Sequence, residues 1–481
     1  MIPHKFQREI RDVDLTQKSN IISYLIKCKK EDLRMDILTL NCGSSSVKYQ
    51  LYQWEEKMIL AKGIVERVTI GGSFITHEVM GNNKVRIERD CPTHKEAISL
   101  IMETLTNSEY GVIKDISQVR AVGHRVVHGG EKFNKSVIID EAALQTFIEL
   151  QELAPLHNPP NIMGIKAAKE VLPDIPHMAI MDTAWHQTMP GYAYIYALPY
   201  EWYRKYQIRR YGFHGTSFLY VSKRASVLLG KDPFQTNIVA AHIGNGVSFN
   251  AIRNGISVDT SMGFTPLEGA VMGTRAGDHD AAIDLYMMDK LGLSTKEMND
   301  ILNKKSGILG ITEKYTDRRD VEIAANDGNK QAQLAIEIEA YRGKKYISSY
   351  MGALGNVDAI VFTAGVGEMS SLIREKMVSG LESFGVKIDP ERNALSRTRN
   401  AETIISSDDS RIKIFVIPTD EELVMTEDTV ALLEGRYDVH TNFKYSFQDP
   451  QYVNLLREDN FKKEIENKPE LASIKARVPR I

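Results

Sequence analysis

The sequence predicts an α/β protein whose two halves share one architecture and face a cleft between them. The first observation is a strand, a tight serine-rich turn and a second strand at 35–52. The second is a strand, a glycine-rich turn and a strand at 237–252, about 200 residues downstream. Each unit opens a stretch in which strands and helices follow one another, as is typical of α/β domains. The repetition predicts an internal duplication with a ligand cleft between the halves.

Composition and charge narrow the class of protein. The chain has 481 residues, is 43% apolar and 26% charged, and is long enough for two or three domains. A net charge of −3 provides no electrostatic footprint for nucleic acid or an acidic membrane, so we expect small-molecule partners. Three widely spaced cysteines indicate neither a disulfide framework nor a zinc cluster. With no apolar run long enough to span a bilayer, these features predict a cytoplasmic protein.

The serine-rich turn contains Gly43 and three hydroxyl side chains. Small side chains and exposed backbone N–H groups allow such a turn to close around an anionic oxygen group. Lys48 adds a positive charge just after it. An ordinary serine-rich hairpin is the alternative for one such turn taken alone. Because a similar turn follows at 242–246, we favour a phosphate chain held by both turns.

Strands and helices alternate between the two turns. Apolar alternation and apolar runs predict strands at 61–65, 74–79, 119–128 and 177–181. Helical spacing predicts a helix at 94–106. The prolines at 153–161 remove backbone donors, so we expect a rigid loop there and a helix from Ile162 to Val171.

Two charged residues lie near the carboxyl ends of buried strands, where open α/β sheets bind ligands. The planar guanidinium of Arg125 could grip a carboxylate or phosphate, and its apolar neighbours make a surface ion pair the weaker alternative. Asp182 directly follows the strand at 177–181. Such an acid either caps the next helix or belongs to a site, and the sequence leaves both open.

Two further candidates lie in loops of the second half. His214 stands between glycines just before a helix, where an N-terminus binds anions and a histidine can donate to a developing oxyanion. A loop histidine without a role is the alternative. Arg275 is presented by the loop at 274–278.

The last third of the chain contains a candidate nucleoside-binding turn and further acidic residues. A buried strand at 358–363 ends in a turn from Gly365 to Gly367, a plausible seat for a nucleoside, and a charged turn precedes it at 316–320. A final strand at 412–417 leads through Pro418 to a closing helix. The acids that open this helix could cap it or reach a hydrated Mg²⁺.

Together these segments resemble the acetokinase family of the acetate and sugar kinase, Hsp70 and actin superfamily, over about 35–437. The motifs are Asn41-x-Gly-Ser-Ser-Ser-x-Lys48, His124-Arg-x-Val-His-Gly-Gly130, 153–161, Gly212-Phe-His-Gly-Thr-Ser217, His242-x-Gly-Asn-Gly246, 263–278 and Pro418-Thr-x-Glu-Glu422. The resemblance implies duplicated ribonuclease H-like (actin-like ATPase) domains with a central nucleotide cleft. It divides the chain into a first domain at 35–182 with a closing helix at 422–436, a second domain at 183–421, and extensions at 1–34 and 437–481.

The resemblance also implies an activity. This is the reversible, Mg²⁺-dependent transfer of phosphate from ATP to acetate, giving acetyl phosphate and ADP and linking acetate with acetyl-CoA metabolism. Mg²⁺ is the expected cofactor, with Mn²⁺ able to substitute, and ATP and ADP are co-substrates. The expected assembly is a homodimer, without a nucleic-acid or membrane partner.

Residue roles follow from the same resemblance. The implied catalytic residues are Asp182, His214, Arg275 and Arg125, and the acetate pocket is formed by Arg125, Val127, Leu156, Phe213 and Pro266. Asn41 and Glu421 serve the metal. The nucleotide residues are Lys48, His242, Ile243, Gly244, Asn245, Gly246, Asp317, Arg318, Arg319, Gly365, Val366, Gly367, Glu368 and Met369.

Three alternatives stay open. A propionate or butyrate kinase is one, because discrimination by one methylene is worth only about 1–3 kcal/mol. A different phosphoryl donor is another, since Met369 stands where the family usually has asparagine. An Hsp70-like regulatory ATPase needs a peptide-binding domain, and the 45 residues after Arg436 are too few for one. For the C-terminal extension we expect partial disorder or a short docked helix.

Overall fold

The computed structural model describes residues 34–80, 84–155 and 157–479, and their strands form two sheets. The first sheet contains β1 (Asp36–Cys42), β2 (Ser46–Gln53), β3 (Met58–Glu66), β4 (Phe74–Val79), β5 (Val85–Glu88), β6 (Val119–Val126), β7 (Val137–Ile138) and β8 (His177–Met181). The second contains β9 (Ile238–Ile243), β10 (Val247–Arg253), β11 (Ile256–Thr260), β12 (Ala359–Thr363), β13 (Thr403–Ile404) and β14 (Lys413–Val416). The strand orders are β5-β4-β3-β2-β1-β6-β8-β7 and β11-β10-β9-β12-β14-β13.

The two sheets repeat one pattern. In the first, β1, β2 and β3 form an antiparallel meander, and β6 and β8 continue the sheet in parallel on the other side of β1. In the second, β9, β10 and β11 form the meander, and β12 and β14 continue in parallel beyond β9. This topology confirms the predicted duplication. The serine-rich turn and the glycine-rich turn therefore each join the first two strands of a repeat.

Sixteen α-helices occur in the described residues. They are α1 (His94–Leu105), α2 (Glu141–Glu149), α3 (Asn158–Val171), α4 (Gly191–Tyr194), α5 (Tyr200–Tyr206), α6 (Gly215–Leu228), α7 (Ala281–Leu291), α8 (Thr295–Lys304), α9 (Gly307–Thr312), α10 (Arg318–Asn326), α11 (Lys330–Leu354), α12 (Ala364–Met369), α13 (Ser371–Val378), α14 (Pro390–Leu395), α15 (Glu421–Leu433) and α16 (Leu455–Asn467). No helix in this described part is long and apolar enough to cross a membrane.

Two predicted loops are in fact the first turns of helices. Helix α3 begins at Asn158, four residues before the predicted start, with Pro159 and Pro160 in its first turn. Prolines are tolerated there because the first N–H groups of a helix have no intrahelical acceptor. The turn predicted from Gly365 to Gly367 lies within the short helix α12.

Helix α15 returns the chain to the first sheet. It packs on β1, β6 and β8, where Met425 and Val430 join a buried apolar cluster with residues of those strands. The predicted closing helix at 422–436 therefore runs from Glu421 to Leu433 and lies on the expected sheet. The domain boundaries themselves stay predictions.

The C-terminal extension docks on the second half. Phe461 of α16 is 1% exposed and packs with Leu471, Ile474 and Ala401. The Ile404 N–H donates to the Ile474 carbonyl at 3.0 Å, which adds the chain end to the edge of the second sheet. Of the two structures expected for this segment, partial disorder or a short docked helix, the described residues show the docked helix. The N-terminal extension, apart from Arg34, lies outside the described residues.

Candidate active site

Residues from both halves line one cavity of about 690 Å³. The first half contributes the serine-rich turn, Arg125 and Asp182, and the second contributes His214 and Arg275. The two arginines therefore open into the same space, beside Ser44. The four residues that the resemblance assigns to catalysis thus lie around one cavity.

Arg125 and Asp182 form a two-pronged ion pair at the ends of neighbouring parallel strands. Arg125 Nε lies 2.9 Å from Oδ1 and Nη2 lies 2.6 Å from Oδ2 of Asp182. Asp182 is 1% exposed, and its backbone N–H donates to the Val126 carbonyl at 3.1 Å. The next 3₁₀ helix (Ala184–Thr188) has Thr183 as its N-cap. Asp182 thus orients Arg125 and does not cap a helix.

Arg275 is a half-buried cation without a carboxylate partner among the described residues. Within that part of the chain its guanidinium makes one hydrogen bond, from Nη1 to the Pro266 carbonyl at 3.5 Å, which is a long and weak contact. Burial lowers the pKa of its guanidinium from the ordinary value, because the charged form loses hydration. An unpaired guanidinium facing a cavity favours an anionic ligand such as a carboxylate or phosphate.

His214 is held as a neutral ring. It adopts a left-handed conformation (φ 58°) at the N-terminus of α6, and its Nδ1 lies 2.8 Å from Ser248 Oγ. Its ring stacks on that of His242, with 3.9 Å between centroids. Burial, His242 and the two site arginines hold the pKa of His214 well below its ordinary value. When the Ser248 hydroxyl donates to Nδ1, the ring proton lies on Nε2, which can then donate to an anion.

Gly246, in the glycine-rich turn, lies directly beside His214 and Arg275. A Cβ atom added there would lie 3.6 Å from His214 Nε2 and 3.7 Å from Arg275 Nη1. A side chain at this position would extend into the space before both groups. Glycine therefore leaves the approach to His214 and Arg275 open.

Three residues of the predicted acetate pocket line the 690 Å³ cavity, called the catalytic cavity below. They are Val127, Phe213 and Pro266, and Phe213 is 2% exposed. Leu156 lies outside the described residues. Pro160 and Met262 also line this cavity and were not predicted.

Two asparagines position the ends of the strands that carry the site, and sequence reasoning gave them no role. Asn161 accepts from the Val127 N–H at 3.0 Å and donates to the Cys42 carbonyl at 2.7 Å, which joins the ends of β6 and β1. Asn158 accepts from the His128 N–H at 3.1 Å and donates to the His128 carbonyl at 2.9 Å. Their signal was the pair of asparagines flanking the prolines of the 153–161 motif.

The residues around Glu421 fit a divalent cation. Glu421 Oε1 is buried without a hydrogen-bond partner among the described residues. Burial, together with the charges of Asp182 and Glu422, raises the pKa of Glu421 to about 7 against the opposing effect of Arg125 and Lys48. A buried, unsatisfied carboxylate is stabilised by a cation. The described residues contain no group of three or more His, Cys, Asp or Glu that could hold a metal ion.

Asn41 and Lys48 face each other across the first hairpin. They are register partners in the β1–β2 pair, so their side chains project from the same face of the sheet. Both line a neighbouring cavity of about 580 Å³, and Asn41 also lines the catalytic cavity. Asn41 therefore stands where the two cavities meet.

A third cavity, of about 780 Å³, gathers most of the predicted nucleotide segments. Its lining includes Gly244, Asn245, Asp317, Arg318, Arg319, Gly365, Val366 and Met369. Arg397 and Arg399 also line it and were not predicted. Arg318 is turned inward, since it pairs with Glu339 at 2.9 Å and is 6% exposed.

Five of the remaining predicted nucleotide residues lie away from this cavity wall. His242 is stacked on His214, Ile243 is fully buried, and Gly246 adjoins Arg275. Glu368 is 5% exposed, and burial raises its pKa. Gly367 is likewise buried. The roles of individual residues stay predictions.

Comparison with known proteins gives the family. The family model described as the Acetokinase family matches residues 36–427. The acetate kinase of Geobacter metallireducens is 64% identical over 419 residues, covering 87% of this chain and all of that protein. The acetate kinase of Treponema pallidum is 57% identical over 448 residues, covering 93% of this chain and all of that protein.

Solved structures agree with these matches. The Porphyromonas gingivalis acetate kinase superimposes with a TM-score of 0.80 at 44% identity, covering 83% of this chain and 100% of that one. A propionate kinase from Francisella tularensis gives a TM-score of 0.77 at 41% identity with the same coverage. They confirm an α/β fold of the actin-like ATPase type in two domains. The chain therefore belongs to the acetokinase family and is a phosphotransferase with a carboxyl group as acceptor.

Proposed function

We propose that the chain transfers the terminal phosphoryl group of ATP to acetate reversibly, with Mg²⁺ as cofactor, giving acetyl phosphate and ADP. The observation that carries the proposal is the shared cavity in which the unpaired Arg275 lies with Arg125, Asp182 and His214. The reaction links acetate with acetyl-CoA metabolism.

The arrangement suits a reaction that needs charge stabilisation more than bond-making groups. Phosphoryl transfer passes through a loose transition state with negative charge on the equatorial oxygens. Arg275 and Arg125 supply positive charge, and neutral His214 supplies a hydrogen-bond donor. Acetate is already ionised at neutral pH and needs no general base. Asp182 accordingly holds Arg125 in place.

Asn41 and Glu421 would hold the cation, and Lys48 faces the phosphates from the adjoining strand. Bound Mg²⁺ would neutralise phosphate charge and polarise the transferring group, and Mn²⁺ would do the same. The unsatisfied Glu421 oxygen supports this assignment. The segments around the 780 Å³ cavity would hold the nucleotide.

A propionate kinase is the second candidate, because a propionate kinase of known structure is 41% identical to the chain. The apolar lining of Val127, Phe213, Pro266 and Met262 suits a short acyl group of either length.

Hydroxamate trapping with acetate, propionate and butyrate tests the proposal directly. We expect acetate to give the highest kcat/KM with ATP as donor, with propionate weaker by about 10- to 100-fold for one extra methylene. GTP and pyrophosphate, tested in parallel, examine the donor choice near Met369. A higher kcat/KM for propionate would select the second candidate, and no acyl hydroxamate with any acid would overturn both.

Replacing Arg275 should abolish most turnover. The Arg275→Ala enzyme is expected to lose about 10³-fold in kcat, since charge-stabilising arginines in phosphoryl transfer contribute on that scale. Arg275→Lys keeps the charge without the planar fork and should recover part of the loss. Steady-state kinetics in both directions measure the effect. Near-normal kcat in Arg275→Ala would contradict the assignment.

Replacing Asp182 should lower the rate without changing the form of its pH dependence. The amide of Asp182→Asn cannot neutralise Arg125 and keeps one acceptor for its fork, so kcat should fall. If Asp182 moves no proton, ionisations in the wild-type pH profile of acyl phosphate formation persist in the variant. Loss of an ionisation in Asp182→Asn would show that Asp182 transfers a proton.

We further propose a homodimer that uses exposed apolar residues of the second half. Tyr192 and Trp202 are 84% and 45% exposed in 191–206, and Leu285 and Tyr286 of α7 are 71% and 61% exposed. Each of the two segments thus exposes two large apolar side chains, and exposed apolar surface is typical of an interface between subunits.

Light scattering after gel filtration tests this assembly. The wild-type chain should elute with twice its 54.2 kDa mass, and a Trp202→Glu/Leu285→Glu variant should elute as a monomer. Leu334→Glu, at a similarly exposed apolar position on α11, is the control. A wild-type monomer, or a dimer unaffected by the double substitution, would exclude this interface.

A further inference from the structure

The C-terminal extension reaches the segment that presents Glu421. The family model ends at residue 427, so α16 lies beyond it. Nevertheless Asn454 and Arg457, at the start of α16, line the 580 Å³ cavity together with Asn41 and Lys48. The extension therefore forms part of the wall around predicted phosphate and metal residues.

Arg457 grips the backbone just before α15. Its Nη1 donates to the Pro418 carbonyl at 2.7 Å and its Nη2 donates to the Thr419 carbonyl at 2.5 Å. Nη2 also lies 3.7 Å from Asp420 Oδ2. A planar guanidinium that binds two successive carbonyls fixes the orientation of both peptide groups. Glu421 follows these residues directly.

Asn454 joins the N-terminus of α16 to that of α15. Asp420 caps α15 by accepting from the Leu423 N–H at 3.1 Å through Oδ1. Its other oxygen, Oδ2, accepts from Asn454 Nδ2 at 2.9 Å. Asn454 in turn caps α16 by accepting from the Arg457 N–H at 3.1 Å. The caps of the two helices are thus hydrogen-bonded to each other.

Helix α16 is itself anchored at a second place. Glu464 accepts from Thr398 Oγ1 at 2.6 Å and from Asn400 Nδ2 at 2.7 Å, and Phe461 is buried in its own cluster. Because these anchors lie in the second half, the Arg457 fork is held by a rigid support. Side chains that only bound a mobile tail would not constrain the Pro418–Asp420 segment in this way.

We propose that Arg457, together with Asn454, is a positioning residue that sets the place of Glu421 for the divalent cation. The inference rests on the proposed function, in which Glu421 serves that cation. Groups that orient metal ligands typically contribute 10- to 100-fold to metal affinity or activity. Without the Arg457 guanidinium, the Pro418 and Thr419 carbonyls lose their donor, and the backbone before Glu421 is no longer held by α16 through these two bonds.

Titration of Mn²⁺ with the full-length enzyme and ADP, followed by the electron paramagnetic resonance signal of free Mn²⁺, tests the proposal without turnover. Arg457→Ala should bind Mn²⁺ about 10- to 100-fold more weakly. The KM for acetate should stay unchanged, because Arg125, Val127 and Phe213 lie on other elements. Arg457→Lys can reach one carbonyl and should restore part of the affinity.

Glu458→Ala is the matched control. Glu458 is the next residue of α16 and pairs with Lys475 at 2.6 Å, inside the extension. Wild-type Mn²⁺ affinity in a folded Arg457→Ala enzyme would overturn the proposal, as would an equal loss in Glu458→Ala. If Arg457→Ala fails to fold, Asn454→Ala is judged by the same two results.

The outcome is separable from that of the proposed function. If the wild-type chain forms no acyl phosphate, the proposed function fails whatever the variants do. If the wild type is active and Mn²⁺ affinity is the same in all variants, the positioning role alone fails.

Discussion

Two guanidinium groups share one cavity, and among the described residues only Arg125 has a carboxylate partner there. Burying unpaired positive charge is unfavourable, and the lowered pKa of Arg275 expresses that cost. Asp182 balances Arg125 and leaves Arg275 in need of an anion. The cavity is therefore arranged as an anion receptor with one permanent counter-ion and room for a second negative charge from the substrates.

The histidine stack depends on the same charge. A protonated imidazole beside two arginines would add repulsion, so burial and neighbouring cations keep His214 neutral. Neutrality is also what the ring needs in order to accept from Ser248 and donate from Nε2. The excess of positive charge thus favours the binding of anions and also keeps His214, which faces them, in its neutral form.

The sequence was most informative where its local pattern coincided with the tertiary structure. Strands of both meanders could be predicted from the alternation of apolar and polar residues, because a sheet that buries one face requires it. The duplication could be predicted from the two similar turns. The start of α3 at Asn158 was missed because prolines were judged as helix breakers, although a first turn accepts them. Arg125, His214 and Arg275 were found by their positions at strand ends and loops.

What the sequence did not reveal are side chains whose partners are distant along the chain. Asn161 bonds to the backbone of Cys42 and Val127, Ser248 bonds to His214, and Arg397 lines the 780 Å³ cavity with residues far from it in the chain. Neither hydrophobic periodicity nor a local motif predicts contacts between residues that are far apart in the sequence.

The C-terminal extension follows the same rule on a larger scale. Its polar composition predicted partial disorder or a short docked helix and no role in the site. Its importance comes from one arginine that binds two carbonyls and one asparagine that binds the cap of α15. Glu421 lies at the N-terminus of α15, where a small change in the preceding peptide groups moves its carboxylate. The extension lies outside the catalytic cavity, yet it binds the backbone that leads into Glu421, because Arg457 donates to the Pro418 and Thr419 carbonyls and Asn454 donates to Asp420.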